Sequence, residues 1–332
     1  MQKERDITFD VLKGIGILSV MLCHLVYNDG LIRKVVYSFH MPLFFLISGC
    51  FVKDANCFVD FLNLTKKNAR RLLLPFSVTM FMLLVWGAIQ AYAKQDIAFF
   101  MRPLLSLVLA NADPINTQWG MPYAGCLWFL VALFVARECF ALLQMALRNV
   151  SSKCRSHIIL VICIVISWLV SVIHPRMVSL PFSIAQSLTA LVFVAVGWYV
   201  RQNPNFAGWV KWLCVLCWPL SIMYGGINME SCTLSAYPLS VSGACGAVFL
   251  LYRVFSFEKM KGNVFSRCLT WCGINSLVIL CMHHLEMYSS VIYSLQCRIP
   301  QVHYLIGYGE VLVAIVLAMV VLKIPGLKNV YK

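Results

Sequence analysis

The sequence predicts an all-α protein: a polytopic transmembrane helix bundle of about ten spans with both termini cytoplasmic. Three observations carry this. Hydrophobic residues make up 61% of the 332-residue chain and charged residues only 12%, against about a quarter charged in a soluble globular domain. The mean hydropathy is +0.81. The apolar residues fall into runs of roughly 16 to 24 residues bounded by charges or turn formers, enough to cross a hydrocarbon core about 30 Å thick. A soluble globular domain is thereby excluded. The net charge of +14 does not point to nucleic acid. The 27 Lys and Arg are dispersed between apolar runs instead of forming one basic domain, so membrane lipids are expected partners and nucleic acid is not.

The runs lie near 9–28, 37–53, 72–93, 124–147, 158–173, 181–200, 209–225, 236–255, 269–290 and 303–323. The first carries Lys13 and His24 and lacks a small-residue cleavage site, so it reads as a span and not as a cleavable signal peptide. The second carries His40. Before the third stand Lys66, Lys67, Arg70 and Arg71. The longest outer gap, 94–123, holds an apolar stretch at 97–110 that is too short to span and reads as re-entrant or interfacial. The fourth run contains Arg137 and Glu138, expected to turn inward as a pair whose role is functional or structural. Cys214 and Cys217 form a lone CxxC in the seventh. Most of the fifteen cysteines lie in apolar runs, where Cys behaves as a small hydrophobe. The ninth run carries His283 and His284. Nothing marks a second soluble domain, a repeat or a low-complexity tail, so residues 1–332 read as one integral membrane domain.

Loop alternation supports the count. With a cytoplasmic N-terminus, the cytoplasmic loops and helix ends hold Lys3, Arg5 and Lys13; Lys53, Lys66, Lys67, Arg70 and Arg71; Arg137, Arg148, Lys153 and Arg155; Arg201 and Lys211; Arg253, Lys259, Lys261 and Arg267; and Lys323, Lys328 and Lys332. That is 21 of the 27 basic residues, as the positive-inside rule requires.

Topology then assigns depth. Lys13 and His24, eleven residues apart, return to within roughly 20° of one helix face, about 16 Å apart along the axis. Asp10 and Lys13 lie near the cytoplasmic face and His24 in the outer half. His40 begins an inward helix, and His283 and His284 lie about 21 Å along an outward one, so four of seven histidines converge on one level. Ionisable groups at that depth are costly and are functional candidates. An imidazole there suits general-base chemistry, and the alternative is a hydrogen bond across a helix interface. His283 and His284 point about 100° apart, so at most one is expected to face the site. Three imidazoles resemble a ligand set, but no HExxH-type spacing occurs and no metal is expected. Lys13, Arg70 and Arg71 supply cations at the cytoplasmic level, Arg70 and Arg71 alternatively by topology and headgroup contact alone. Asp10, three residues before Lys13, is placed for a local ion pair.

The spacing of Lys13 and His24, followed by FHMPLFFLISG at Phe39–Gly49, resembles the opening signature of membrane acyltransferase family three. RRLLLPF at Arg70–Phe76, LWFLVALF at Leu127–Phe134 and GINSLVILCMHH at Gly273–His284 resemble later pieces in the family's order. The resemblance implies a multi-pass O-acetyltransferase of the bacterial inner membrane. Such an enzyme moves acetyl from cytoplasmic acetyl-CoA to a sugar hydroxyl of a surface polysaccharide or its lipid-linked precursor. It places His24 and His40 in catalysis, and Lys13, Arg70 and Arg71 on the donor phosphates. Asp10, Asn275, Ser276, His283 and His284 become substrate-contact candidates, and packing explains Trp128 and Phe129. Lys13 stands where arginine is common, which keeps the charge but loses the forked geometry. The span from Lys13 to His24 is comparable with an extended pantetheine arm. The rival reading is a transporter or flippase for a glycan or small solute, though no inverted symmetry of Gly/Pro-broken helices is visible. A structural or sensory protein leaves the histidine level unexplained. Acceptor identity, acyl length and oligomeric state are not encoded in recognisable residues.

Overall fold

The computed structural model describes residues 6–25, 30–112, 124–174, 180–203, 208–257, 263–289 and 303–331. In chain order the helices are α1 (Ile7–Leu25), α2 (Leu31–Tyr37), α3 (His40–Cys50), α4 (Phe58–Lys94), α5 (Ala98–Leu109), α6 (Trp128–Ala146), α7 (Ser152–Ile173), α8 (Ile184–Gln202), α9 (Gly208–Tyr224), α10 (Tyr237–Phe255), α11 (Val264–Ile274), α12 (Ser276–Ser289), α13 (His303–Val321) and α14 (Pro325–Tyr331). One antiparallel hairpin, β1 (Gly226–Asn228) and β2 (Thr233–Ser235), joins α9 to α10, with Ile227 opposite Leu234. The all-α bundle is therefore observed.

Among the described residues seven helical stretches are long and apolar enough to cross a membrane, and up to nine if each bent pair counts as one span. The 17-residue α9 falls short of that measure, although it lies on a predicted run. α7 turns Val161, Trp168 and Val172 outward, and α13 turns Leu312, Val316 and Val320 outward. Stripes of large apolar side chains on an outer surface are a liability in water and a fit to lipid.

Several elements differ from the expectation. The third run is the end of a 37-residue helix that starts at Phe58, about 55 Å long by the helical rise. Arg70 and Arg71 thus lie inside α4, not before it. Lys, Ala, Arg and Leu are strong helix formers, so the polar stretch continues the helix, and Cys57 caps it by accepting a hydrogen bond from the Asp60 amide (3.4 Å). The second run is two helices broken at Ser38–Phe39, where Phe39 leaves helical geometry (φ −141°, ψ −25°). The short stretch at 97–110 does agree with its expectation: it forms the 12-residue α5, below spanning length and packed on α4; residues 113–123 of the turn-rich segment after it lie outside the described residues. The ninth run is also broken, with α11 and α12 bent by 74° at Asn275.

α1 packs against α11, α3, α10 and α12. Its contact with α11 is backbone on backbone: a Cβ at Gly273 would lie 1.7 Å from the Asp10 carbonyl oxygen, and one at Gly14 would lie 2.0 Å from that of Leu269. Only glycine permits this approach, which in lipid replaces the missing hydrophobic drive between helices. The close contact presses one face of α1 toward the interior, where a cavity opens.

Candidate functional site

The cavity has a volume of about 1980 Å³. Asp10, Lys13, Ile17, Val20 and His24 line it from α1. Their spacing of three and four residues marks one helix face, so the expected common face of Lys13 and His24 is present. Lys13 Nζ lies 3.1 Å from Asp10 Oδ1, with Asp10 buried and Lys13 partly open. The expected local pair is thus observed.

At the other end of α1, His24 and His40 both line the cavity. His40 begins α3, and its Nδ1 lies 2.8 Å from the Val36 carbonyl oxygen. A carbonyl only accepts, so Nδ1 carries the hydrogen of the neutral ring and Nε2 keeps the lone pair. The break at Ser38–Phe39 makes this possible by bringing the start of α3 back onto the last turn of α2. Ser38 at the break donates to Val35 O (2.6 Å) and accepts from Trp218 Nε1 (2.9 Å).

The two histidines of α12 take different places. His284 lines the cavity, with Cys126 Sγ 3.5 Å from its Nδ1. A 3₁₀ turn at Gly125–Leu127 receives it: Gly125 has φ +52°, and a Cβ there would lie 2.2 Å from His284 Cε1. His283 is fully buried behind His24, with ring centroids 5.4 Å apart and its Nδ1 3.7 Å from Glu286 Oε2. His284 therefore joins the cavity and His283 does not.

Asn275 and Ser276 line the cavity at the bend. Asn275 Nδ2 donates to Trp271 O (2.8 Å), so this amide caps α11 while the first turn of α12 faces the cavity with its partial positive charge. Trp128 and Phe129 also line it. Arg71 reaches the wall and Arg70, one residue round the helix, does not. The structure thus gathers Asp10, Lys13, His24, His40, Arg71, Asn275, Ser276 and His284 around one space and leaves out Arg70 and His283.

Further cations share the Lys13 end: Lys53, Arg137, Arg201, Lys211 and Arg253. Arg137 Nη1 donates to Ser48 Oγ (3.1 Å), while Glu138 accepts from Asn68 Nδ2 (2.8 Å) and from Thr65 Oγ1. The two neighbours therefore engage different helices instead of each other, because adjacent helical residues diverge by about 100°. Arg201 donates to Val52 O (2.8 Å) and Cys50 O (3.2 Å), tying α8 to the end of α3. In the sequence these residues carry only a topology signal, and Arg137, a charge within an apolar run, is the one that stood out. Arg33, Tyr37, Asn228 and Glu230 line the histidine end. Among the described residues no three His, Cys, Asp or Glu side chains are grouped to hold a metal ion, and the described cysteines are free thiols.

The helices have the length and composition of a multi-pass membrane protein, and the cavity within the bundle is lined by cations and imidazoles. The family model for the acyltransferase domain of acyltransferase family three matches residues 6–324. The chain belongs to that family. It is 32% identical over 148 residues to the nodulation protein NolL of Sinorhizobium fredii (strain NBRC 101917 / NGR234), covering 41% of this chain and 37% of that protein. It is 30% identical over 142 residues to the nodulation protein NolL of Mesorhizobium japonicum (strain LMG 29417 / CECT 9101 / MAFF 303099), covering 40% of this chain and 34% of that one. The matched stretch is thus about a third of each relative's length. No solved structure matches the chain.

Proposed function

We propose that the protein transfers an acetyl group from cytoplasmic acetyl-CoA to a hydroxyl of a surface polysaccharide or its lipid-linked precursor, with His24 as general base. The carrying observation is one continuous cavity with cations at the Lys13 end and imidazoles at the His24 end. Coenzyme A bears phosphates that need cations, and Arg71, Arg137 and Arg201 offer forked donors beside the point charge of Lys13. Arg137 Nε, buried and without a hydrogen-bond partner among the described residues, leaves a donor for such an anion. About 1980 Å³ is roughly twice the upper end of a single small-ligand pocket, which leaves room for donor and acceptor together.

His24 takes the acceptor hydroxyl proton as that oxygen attacks the thioester carbonyl. The carbon–sulfur bond then breaks, the ester forms, and the proton passes from the imidazolium to the departing thiolate. Nε2 of His40, the basic nitrogen of that ring, accepts a hydrogen bond from the acceptor and orients it. His284 and the first turn of α12 line the same cavity. In this reading ten spans with both termini cytoplasmic, the topology favoured by the positive-inside count, put the cation end at the cytoplasmic face of the bacterial inner membrane.

The test is incubation of purified protein with acetyl-CoA labelled in its acetyl group and candidate lipid-linked glycans, followed by mass spectrometry. His24→Gln should lower transfer by about 10² to 10⁴ while acetyl-CoA binding persists. A correctly inserted His24→Gln protein that acetylated within several-fold of wild type would remove His24 from the role.

A further inference from the structure

α12 carries a titratable pair that the acyl-transfer reading leaves without a role. His283 is 0% exposed and Glu286 6%, and neither lines the cavity. Three residues make close to one helical turn, so the two share a face of α12, while His284, about 100° round the axis from His283, takes the cavity face. Nδ1 of His283 lies 3.7 Å from Glu286 Oε2. That contact needs one of the two carboxylate oxygens, and Glu286 interacts with other groups as well. Neither ring nitrogen of His283 has a hydrogen-bond partner among the described residues. Burying a polar group in that condition costs free energy, and an ionisable residue kept there within a membrane bundle is a candidate for function.

The neighbour that gives the pair a use is His24. α1 packs on α12, and the rings of His24 and His283 have centroids 5.4 Å apart with their planes at 50°. Of Glu286, His283 and His24, His24 alone lines the cavity. The three therefore run in that order from the interior to the cavity wall. A carboxylate accepts, so the hydrogen of the neutral His283 ring belongs on Nδ1 and Nε2 keeps the lone pair. That lone pair is suited to an N–H of the His24 ring.

We propose that Glu286 and His283 are positioning residues for His24: the carboxylate orients the His283 ring, and His283 accepts a hydrogen bond from one nitrogen of His24, so that the other presents its lone pair to the cavity. The inference rests on the acyl-transfer reading above, with His24 as base, and deepens it. A neutral imidazole has two tautomers, and one of them leaves the cavity-facing nitrogen basic. The pair selects that one. When His24 takes the acceptor proton, its second N–H stays directed at His283, and the Glu286 carboxylate offsets the new positive charge. No proton passes along the pair, and the one that His24 gains leaves with the thiol.

The experiment uses the full-length protein in detergent with acetyl-CoA and a lipid-linked hexose oligosaccharide as the acceptor probe. Glu286→Gln keeps the size of the side chain, removes its charge and can present either an oxygen or an NH2 to His283. It should lower kcat by roughly 10- to 100-fold, the scale for groups that orient a functional imidazole, with both KM values and the melting temperature unchanged. His283→Gln should lower kcat of the folded protein likewise; where it fails to fold, Glu286→Gln carries the test. Added to His24→Gln, Glu286→Gln should cost nothing further, because residues that act through one another are not additive. A purely structural role would add its full effect. A second readout needs no turnover. Nitrogen NMR of isotope-labelled histidines, with His24 assigned by the signals lost in His24→Gln, should show one tautomer of His24 in wild type and a mixture in Glu286→Gln. Unchanged kcat in Glu286→Gln overturns the inference, as does an equal fall in the His24→Gln background or a His24 tautomer that does not respond. Wild type without transfer, or His24→Gln as active as wild type, defeats the reading with His24 as base and the inference with it. Wild-type transfer that His24→Gln abolishes and Glu286→Gln leaves intact defeats the inference alone.

Discussion

Gly125→Ala probes how the active cavity holds His284. The added Cβ would stand 2.2 Å from Cε1 and 2.7 Å from Nδ1 of the ring, against ordinary contact beyond 3.4 Å. Ring or turn must therefore move by about 1 Å. At φ +52° a side chain adds strain on the order of 1–2 kcal/mol, and forcing a methyl into a filled site adds about 1–3 kcal/mol. The variant should lose about 2–5 kcal/mol of stability. A misplacement of about 1 Å within a reacting constellation costs up to roughly 10²-fold in rate, so transfer should fall by 10- to 100-fold in the protein that remains folded. Thermal unfolding in detergent and acetyl transfer at saturating donor read the two effects separately. Adding His284→Ala removes the ring that the methyl strikes, so the double variant should recover part of the stability and none of the activity. Gly125→Ala as stable and as active as wild type would show that the turn does not position the ring, and the account of this wall would be wrong.

Three further outcomes follow from the same geometry. Lys13→Ala should weaken acetyl-CoA binding by roughly 10- to 100-fold, the value of one lost phosphate contact at about 1.5–3 kcal/mol, and Lys13→Arg should retain most of it; wild-type affinity in Lys13→Ala, measured by direct binding, removes the residue from the donor site. Gly273→Ala, whose methyl would meet the Asp10 carbonyl oxygen at 1.7 Å, must part α1 from α11 and lower the melting temperature by several degrees; an unchanged melting curve contradicts the backbone contact. Reporter fusions at Asn56 and at Lys332 should both report cytoplasm, and a periplasmic signal from either breaks the assignment of the cation end to the cytoplasmic face.

What was legible in the sequence followed from periodicity and from the cost of burying charge. Lys13 and His24 share a face because eleven residues nearly complete three helical turns, and Asp10 meets Lys13 because three residues make one turn. The convergence of His24, His40 and His284 followed from alternating helix direction. The choice between His283 and His284 was not legible, since it depends on the rotation of α12 about its axis, which the bend at Asn275 sets. The bend itself had a local signal in Gly273 and Asn275, but an apolar run reads as one span when only its length is weighed. The start of α4 was missed for the opposite reason: residues 58–71 are helical without being apolar, and a search for spans passes over them. Arg137 was singled out as a buried charge, yet its partner Ser48 lies 89 residues away, a separation no local pattern encodes. The hairpin offered only a turn-rich segment between two runs.

The distribution of charge explains why the site is arranged along α1. Among the described lining residues the Lys13 end gathers Lys13, Lys53, Arg71, Arg137, Arg201, Lys211 and Arg253 against Asp6 and Asp10. Like charges gathered around one space repel. A bundle bears that cost when a bound anion offsets it, so a polyanionic donor is the ligand that the arrangement favours. Fewer cations stand at the proposed reacting end, where Arg33 lines the cavity. A larger excess of positive charge beside His24 would oppose protonation of the ring, the step a general base must perform. The chain keeps most of the positive charge about three helical turns away along α1. On the proposed function, separation along one helix face would let a single cavity bind a charged donor and still leave an imidazole free to take a proton.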